Sequence, residues 1–120
     1  MTKLSVETDP SDVRADLDRD ACSFLLIDAR SQKQYADCHI PGATNMPHRT
    51  ISAESTAQLA RDTLIVVYCC GPACNAAARA CAKLSALGFT VKEMIGGLTY
   101  WRHEGFDVEG ELGTNAPMYA

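Results

Sequence analysis

The chain has 120 residues, 47% apolar and 22% charged, with 15 acidic side chains against 11 basic and a net charge of −4. A chain of this length buries roughly two-thirds of the surface its unfolded form exposes, enough for one core and not for two, so one domain is expected over 1–120, with its core at about 10–110 and a tail over 111–120. No apolar run has the roughly 18 residues of a membrane span, Met1–Glu7 lacks a secretory apolar stretch, and no Lys/Arg cluster marks a nucleic-acid or anionic-membrane surface, which sets the expectation of a cytoplasmic protein with reduced thiols.

Asp9 followed by Pro10 signals a helix start, and Val13 and Leu17 then share one face of a short helix ending near Asp20. Phe24-Leu25-Leu26-Ile27 is apolar at every position, as in a parallel strand covered on both faces. Ser31-Gln32-Lys33-Gln34 fits a capping box and opens a helix of one or two turns through Ala36. Ser52 to Arg61 is a third, weaker helix candidate. A second buried strand spans Leu64 to Tyr68, and an alanine-rich helix follows from about Asn75, a plausible side-chain cap, to Leu87, with Gly88 as its stop. A strand over Val91–Ile95 and a helix over Leu98–Glu104 complete the pattern. Trp101 on that helix reads as a core anchor, as does Tyr100 or Phe106 beside it. The stretch after Gly110 is rich in Gly, Pro and small residues and leans toward mobility.

Strands alternating with helices predict an α/β fold, a mostly parallel central sheet with helices on both faces and right-handed crossovers. Chemistry in such sheets sits beyond the carboxyl ends of the strands. At that position after Tyr68 stands Cys69-Cys70-Gly71-Pro72-Ala73-Cys74, half of the chain's six cysteines. A thiol at the end of a buried strand, followed by a turn able to point its amides inward and by a helix N-terminus, sits in a nest for an anion. Such surroundings lower a thiol pKa and stabilise a thiolate or persulfide. Cys22, Cys38 and Cys81 lie within or beside regular elements and read as packing residues. Zinc is not expected, because one knuckle-like spacing has no second ligand pair.

The chain resembles the single-domain rhodaneses, a sulfurtransferase family, over about residues 10–110. The resemblance is carried by Leu26-Ile27-Asp28-Ala29-Arg30, His39-Ile40-Pro41-Gly42-Ala43, Ile65-Val66-Val67-Tyr68-Cys69, Leu87-Gly88-Phe89, and Gly96-Gly97 followed by Trp101. It implies a rhodanese-like fold and a catalytic cysteine at the first loop position, Cys69. Its thiolate would take sulfane sulfur from a thiosulfate- or persulfide-type donor and pass it to a thiophilic acceptor, with neither metal nor organic cofactor. The implied partners are a small sulfur donor and a protein persulfide or thiol acceptor. Residues Cys70, Gly71, Pro72, Ala73, Cys74 and Asn75 would form the anion- or persulfide-binding loop. By the same resemblance Asp28, Arg30 and His39, which invite an acid–base reading, are structural supports, together with Trp101.

Within the loop the chain departs from the family. The family commonly has a six-residue loop with a basic residue near its end, whereas here Cys74, Asn75 and Ala76 occupy those places and the loop reads Cys-x-Gly-Pro-x-Cys-Asn. An arginine fork binds sulfonate or phosphate through two hydrogen bonds, so its absence argues against thiosulfate as donor and against phosphatase chemistry. His48, Arg49 and Arg79 are the nearest cationic candidates. Cys70 adjoins Cys69, and neighbours leaving a strand point to opposite sides. Cys74, at the far rim, is a candidate relay or resolving thiol. The alternative function is a non-catalytic or redox-sensing module toggling Cys69 and Cys74. Cys38 replaces a glycine common before His39 in the family, so the local backbone is expected to differ there.

Overall fold

The computed structural model describes residues 7–18, 24–71 and 74–117. Five strands form one sheet: β1 (Glu7–Thr8), β2 (Phe24–Asp28), β3 (Thr44–Asn45), β4 (Leu64–Tyr68) and β5 (Thr90–Met94), in the order β1-β5-β4-β2-β3. Every pairing is parallel, and β2 and β4 lie in register from Phe24 beside Leu64 to Asp28 beside Tyr68. The helices are α1 (Pro10–Leu17), α2 (Gln32–Asp37), α3 (Ala76–Ala86) and α4 (Gly97–His103). The expected parallel α/β architecture is therefore present.

The two central strands divide their side chains between two cores. Leu26, Val66 and Tyr68 pack with Val13 of α1 and Leu98 and Trp101 of α4. Ile27, Ile65, Val67 and Cys69 pack with Ala77, Ala80 and Leu84 of α3 and with Ile51. The alternation along Ile65-Val66-Val67-Tyr68-Cys69 is the period of a strand, and it puts Cys69 on the α3 side. Small residues at Ala77 and Ala80 let α3 lie close against β4, which brings its first turn to the strand end.

The helix ends follow local chemistry. Asp9 accepts from the Asp12 amide at 2.9 Å as the α1 cap, and Ser31 and Gln34 form the expected capping box of α2. After α3, Gly88 takes φ +98, while its own amide donates to Ser85 and that of Phe89 to Leu84. Those two bonds satisfy the last carbonyls of the helix and require the left-handed conformation that glycine supplies.

Several expectations are corrected. Residues 52–61 form successive turns, with a short 3₁₀ helix only at His48–Thr50. There Ser52 and Ser55 exchange side-chain-to-backbone bonds, and Thr56 Oγ1 donates to Ser52 O at 2.8 Å, so hydroxyls compete with the helical ladder. Asn75 sits at the cap position of α3 but makes no side-chain capping bond. Helix α1 stops at Leu17 with Asp18 as its C-cap, and the last strand runs one residue earlier than expected. Tyr100 is exposed at 46%, leaving Trp101 as the buried aromatic of α4. The described part of the tail is fastened: Glu111 and Leu112 donate to Ala36 and Asp37, Ala116 is buried, and Arg102 donates to the carbonyls of Thr114, Ala116 and Pro117.

Candidate active site

Beyond the carboxyl end of β4 the chain turns through Cys69, Cys70 and Gly71 and resumes at Cys74 before α3. Pro72 and Ala73 lie outside the described residues, as does Cys22. The Cys74 amide donates to Gly71 O at 3.1 Å, which closes the turn and takes that amide out of any inward-facing nest.

Cys69 is buried, with 3% of its surface exposed. Its thiol donates to the Cys74 carbonyl at 3.4 Å. Cys70 points to the other side of the strand, where Gln34 Nε2 donates to its sulfur at 3.4 Å. Cys69 and Cys70 thus face opposite sides, as neighbours leaving a strand do.

Their charges are distributed unequally. Burial pushes the Cys69 thiol up to about 12, reinforced by its hydrogen bond with Cys74 and the nearby Cys74 and Cys70 charges, against a lowering by the Ala77 amide. Cys70 is raised as well, by burial and by the Cys74 charge, although Arg30 draws it down. At Cys74 burial raises the thiol, but the Ala76 amide, the Cys69 thiol, the Cys70 amide and the Cys70 thiol together outweigh it, and its pKa falls below the ordinary value. The expected lowering at Cys69 is therefore corrected: burial raises that thiol, and Cys74 is the loop thiol whose pKa is lowered.

Helix α4 holds the loop from beneath. The amides of Leu98 and Thr99 donate to the carbonyls of Cys69 and Cys70 at 2.8 and 2.9 Å, and Thr99 Oγ1 donates to Cys70 O at 2.8 Å. Gly97 makes this approach possible: at φ +60, a Cβ there would lie 2.5 Å from Cys69 O and 2.9 Å from the Gly71 nitrogen. The sequence marked Gly96-Gly97 as a motif without exposing this contact. Gln34 and Thr99 were not singled out for the site at all. Gln34 was visible only as a capping residue, and nothing in linear spacing places it beside Cys70.

The remaining candidates surround the loop without joining the thiols. Arg30 is paired with Asp28 in the core, Nη2 to Oδ2 at 2.6 Å and Nε to Oδ1 at 3.0 Å, and also donates to the Cys38 carbonyl. Burial by itself would lower the Arg30 pKa, but the Asp28 hydrogen bond and charge raise it. His39 stacks on Tyr35 with ring centroids 3.9 Å apart and contacts Tyr35 O and Glu109 through its two nitrogens. Trp101 is buried and donates from Nε1 to Asp107 O at 2.8 Å. Cys38 is buried with φ −164, extended backbone that any residue adopts, so no glycine is needed there. Burial also raises Cys81, to about 12. Lys83, Arg49 and Arg79 gather their charges around His48, whose pKa is lowered first by burial and then by those three; Lys83 donates to His48 O at 2.7 Å. None of these cations takes the place of an arginine within the loop.

The family model for the rhodanese-like domain matches residues 9–104. The chain belongs to the rhodanese-like domain family. A crystal structure of a Bacillus halodurans protein is similar to this domain at 43% identity and a TM-score of 0.95, covering 98% of this chain and 86% of that one. Among curated proteins, the domain is 36% identical over 91 residues to an HTH-type transcriptional regulator of Mycobacterium tuberculosis, covering 76% of this chain and 40% of the regulator. It is 28% identical over 95 residues to an adenylyltransferase and sulfurtransferase of Ogataea parapolymorpha, covering 78% of this chain and 22% of that protein. The chain thus spans less than half the length of either curated relative. Among the described residues, no helix of the rhodanese-like domain is long and apolar enough to cross a membrane.

Proposed function

We propose that the domain is a sulfurtransferase that carries sulfane sulfur as a persulfide on Cys69. The observation that supports this reading most directly is the buried Cys69 thiol at the end of β4, which donates to the Cys74 carbonyl at 3.4 Å in the loop that leads into α3. Cys74, the loop thiol whose pKa is lowered, then serves as the base. As Cys69 attacks the sulfane sulfur of the donor, its proton passes to the ionised form of Cys74, and the donor's remaining fragment leaves as a thiol or as sulfite. The persulfide anion is left beside the Ala77 amide, at the positive end of α3.

No arginine stands among residues 69–75 to bind a sulfonate through two hydrogen bonds, so a low-molecular-weight persulfide is the expected donor, ahead of dianionic thiosulfate. The acceptor is a thiol of a small molecule or partner protein.

The test is the intact mass of the reduced protein after each donor, with Cys69→Ser alongside. A gain of one sulfur is expected with the persulfide donor and is lost in Cys69→Ser. Full sulfur loading of Cys69→Ser would refute the assignment. No uptake from either donor by protein with a free Cys69 thiol would leave the redox or binding module as the function of this loop.

A further inference from the structure

The chain carries a net charge of −4, yet its carboxylates avoid two stretches: none stands between Asp37 and Glu54, and none between Asp62 and Glu93. The fold packs these stretches together. Ile51 lies against Ala77, Ala80 and Leu84 of α3, and Lys83 Nζ donates to His48 O at 2.7 Å across the same contact. Arg79 precedes Lys83 by one helical turn and shares its stripe of α3, and Arg49 follows His48 in the 3₁₀ helix. Arg49, Arg79 and Lys83 are all exposed. Among the described residues no carboxylate pairs with any of the three, whereas Arg14, Arg30 and Lys33 are paired with Asp18, Asp28 and Asp37.

This strip begins at the reactive loop. The Arg79 amide donates to Asn75 O at 3.0 Å, and Ala77, in the same first turn of α3, packs against Cys69. The 3₁₀ helix starts from the same end of the sheet, since the His48 amide donates to Ala29 O, just past β2, at 3.3 Å. We propose that Arg49, Arg79 and Lys83 form the docking surface for the sulfur acceptor, a protein whose reactive cysteine is bordered by acidic side chains. This rests on the Cys69 persulfide proposed above and names the acceptor it serves.

Length selects a protein over a small anion. At a rise of 1.5 Å per residue, Lys83 stands about 10 Å along α3 from Ala76, beyond the reach of a sulfite or thiosulfate engaged at Cys69. The three cations are spread over two elements, and a row of carboxylates on a partner meets them together. Charge selects against nucleic acid, because the acidic remainder of the chain repels a polyanion that extends past the strip. Once docked, the acceptor thiol attacks the outer sulfur of the Cys69 persulfide. A bond forms between the acceptor sulfur and the outer sulfur, the bond from Cys69 Sγ breaks with its electron pair left on Sγ, and the acceptor's proton ends on Cys69. A thiol and a persulfide anion enter, and a persulfide anion and a thiol leave.

The experiment uses the full chain and three peptides of equal length, each with a central cysteine flanked by glutamates, glutamines or lysines. The domain is loaded with a low-molecular-weight persulfide, and transfer to each peptide is followed by mass. Binding is read separately, by fluorescence anisotropy of the same peptides with serine in place of cysteine. The glutamate peptide is expected to bind more tightly than the lysine peptide and to accept sulfur about 10-fold faster at low salt, an advantage that shrinks as salt rises. Arg79→Gln should reduce that advantage more than Arg14→Gln, which removes the same charge from α1. The combined Arg49→Gln, Arg79→Gln and Lys83→Gln variant should abolish it while still loading one sulfur. Equal rates for the three peptides, or a preference that survives the combined variant, would overturn the docking surface. Binding abolished by sulfate at an ionic strength where chloride leaves it intact would mark a small-anion site and overturn it too, as would tighter binding of a labelled single-stranded oligonucleotide. A glutamate peptide that binds through the three cations to a protein that loads no sulfur would sink the Cys69 persulfide while leaving the acidic partner in place.

Discussion

The adjacent strands β2 and β4 end at the same level of the sheet, Asp28 beside Tyr68, yet the two ends treat their polar groups differently. Past β2, the Asp28 carboxylate receives the Arg30 backbone amide at 2.9 Å and two nitrogens of its guanidinium, and Asn45 bridges the carbonyls of Asp28 and Arg30. That end is closed on itself. Past β4, the backbone is held by α4, while the Cys69 thiol donates to the Cys74 carbonyl and the Cys70 sulfur accepts from Gln34. Strand ends in a parallel sheet therefore supply a location, and the side chains decide whether it becomes a strut or a reactive centre.

The largest effect is expected where the strut is cut. Arg30→Ala should destabilise the domain by about 3–5 kcal/mol in urea unfolding, because Asp28 is left buried without its counter-charge. The double change Asp28→Leu with Arg30→Met should cost clearly less than the sum of the single changes. Equal additivity would show that the two residues do not act as a pair.

Cutting the floor of the loop comes next. Gly97→Ala should cost about 1–3 kcal/mol for its left-handed backbone and displace the Cys69 and Cys70 carbonyls, lowering the rate of sulfur uptake more than Gly105→Ala, where a Cβ meets open space. Equal uptake rates for the two variants would show that the contact with Gly97 does not set the loop.

The thiols themselves sharpen the comparison without a mutation. Limiting iodoacetamide near neutral pH should label Cys74 before Cys69, since the thiolate is the nucleophile. Labelling of Cys74 should begin below the range of an ordinary free thiol, and that of Cys69 only on the alkaline side, as their opposite shifts require. Preferential labelling of Cys69 at neutral pH would overturn the opposite shifts of the two thiols.

The smallest effect concerns a pair of like charges. Glu93 of β5 stands in register with Glu7 of β1, and burial, followed by the Glu7 charge, raises its pKa. A raised carboxyl pKa in the folded state means the native protein holds that proton more tightly, so this contribution to stability grows as pH falls through the raised value toward the ordinary 4.5. Glu93→Gln should stabilise the domain at pH 7 by about 0.2–1 kcal/mol and flatten that part of the pH profile. A loss of stability would show that the carboxylate serves a favourable contact.

Much of this arrangement was legible beforehand. The apolar runs at Phe24 and Leu64, the capping box at Ser31 and the glycine after Leu87 are strong local signals, and each marks an element that forms. Strands β1 and β3 were not legible, because two residues carry no periodicity and pair only once β5 and β2 are in place. The turns at 52–61 were misread because serine and threonine hydroxyls near the backbone look the same in a helix start and in a chain of turns. At the site, Cys69 stood out from its place after a buried strand. The lowering at Cys74 did not, since it depends on which groups folding brings around that thiol.

The strand directions carry one more consequence. β1 runs parallel to β5, so the chain arrives at Glu7 from the amino end of the sheet, and α4 runs away from the loop until Arg102 gathers the carbonyls of residues 114, 116 and 117. Both ends of the described unit are thus tied to β5 and α4, two elements that follow one another directly in the chain, so the first and last described residues depend on one shared segment.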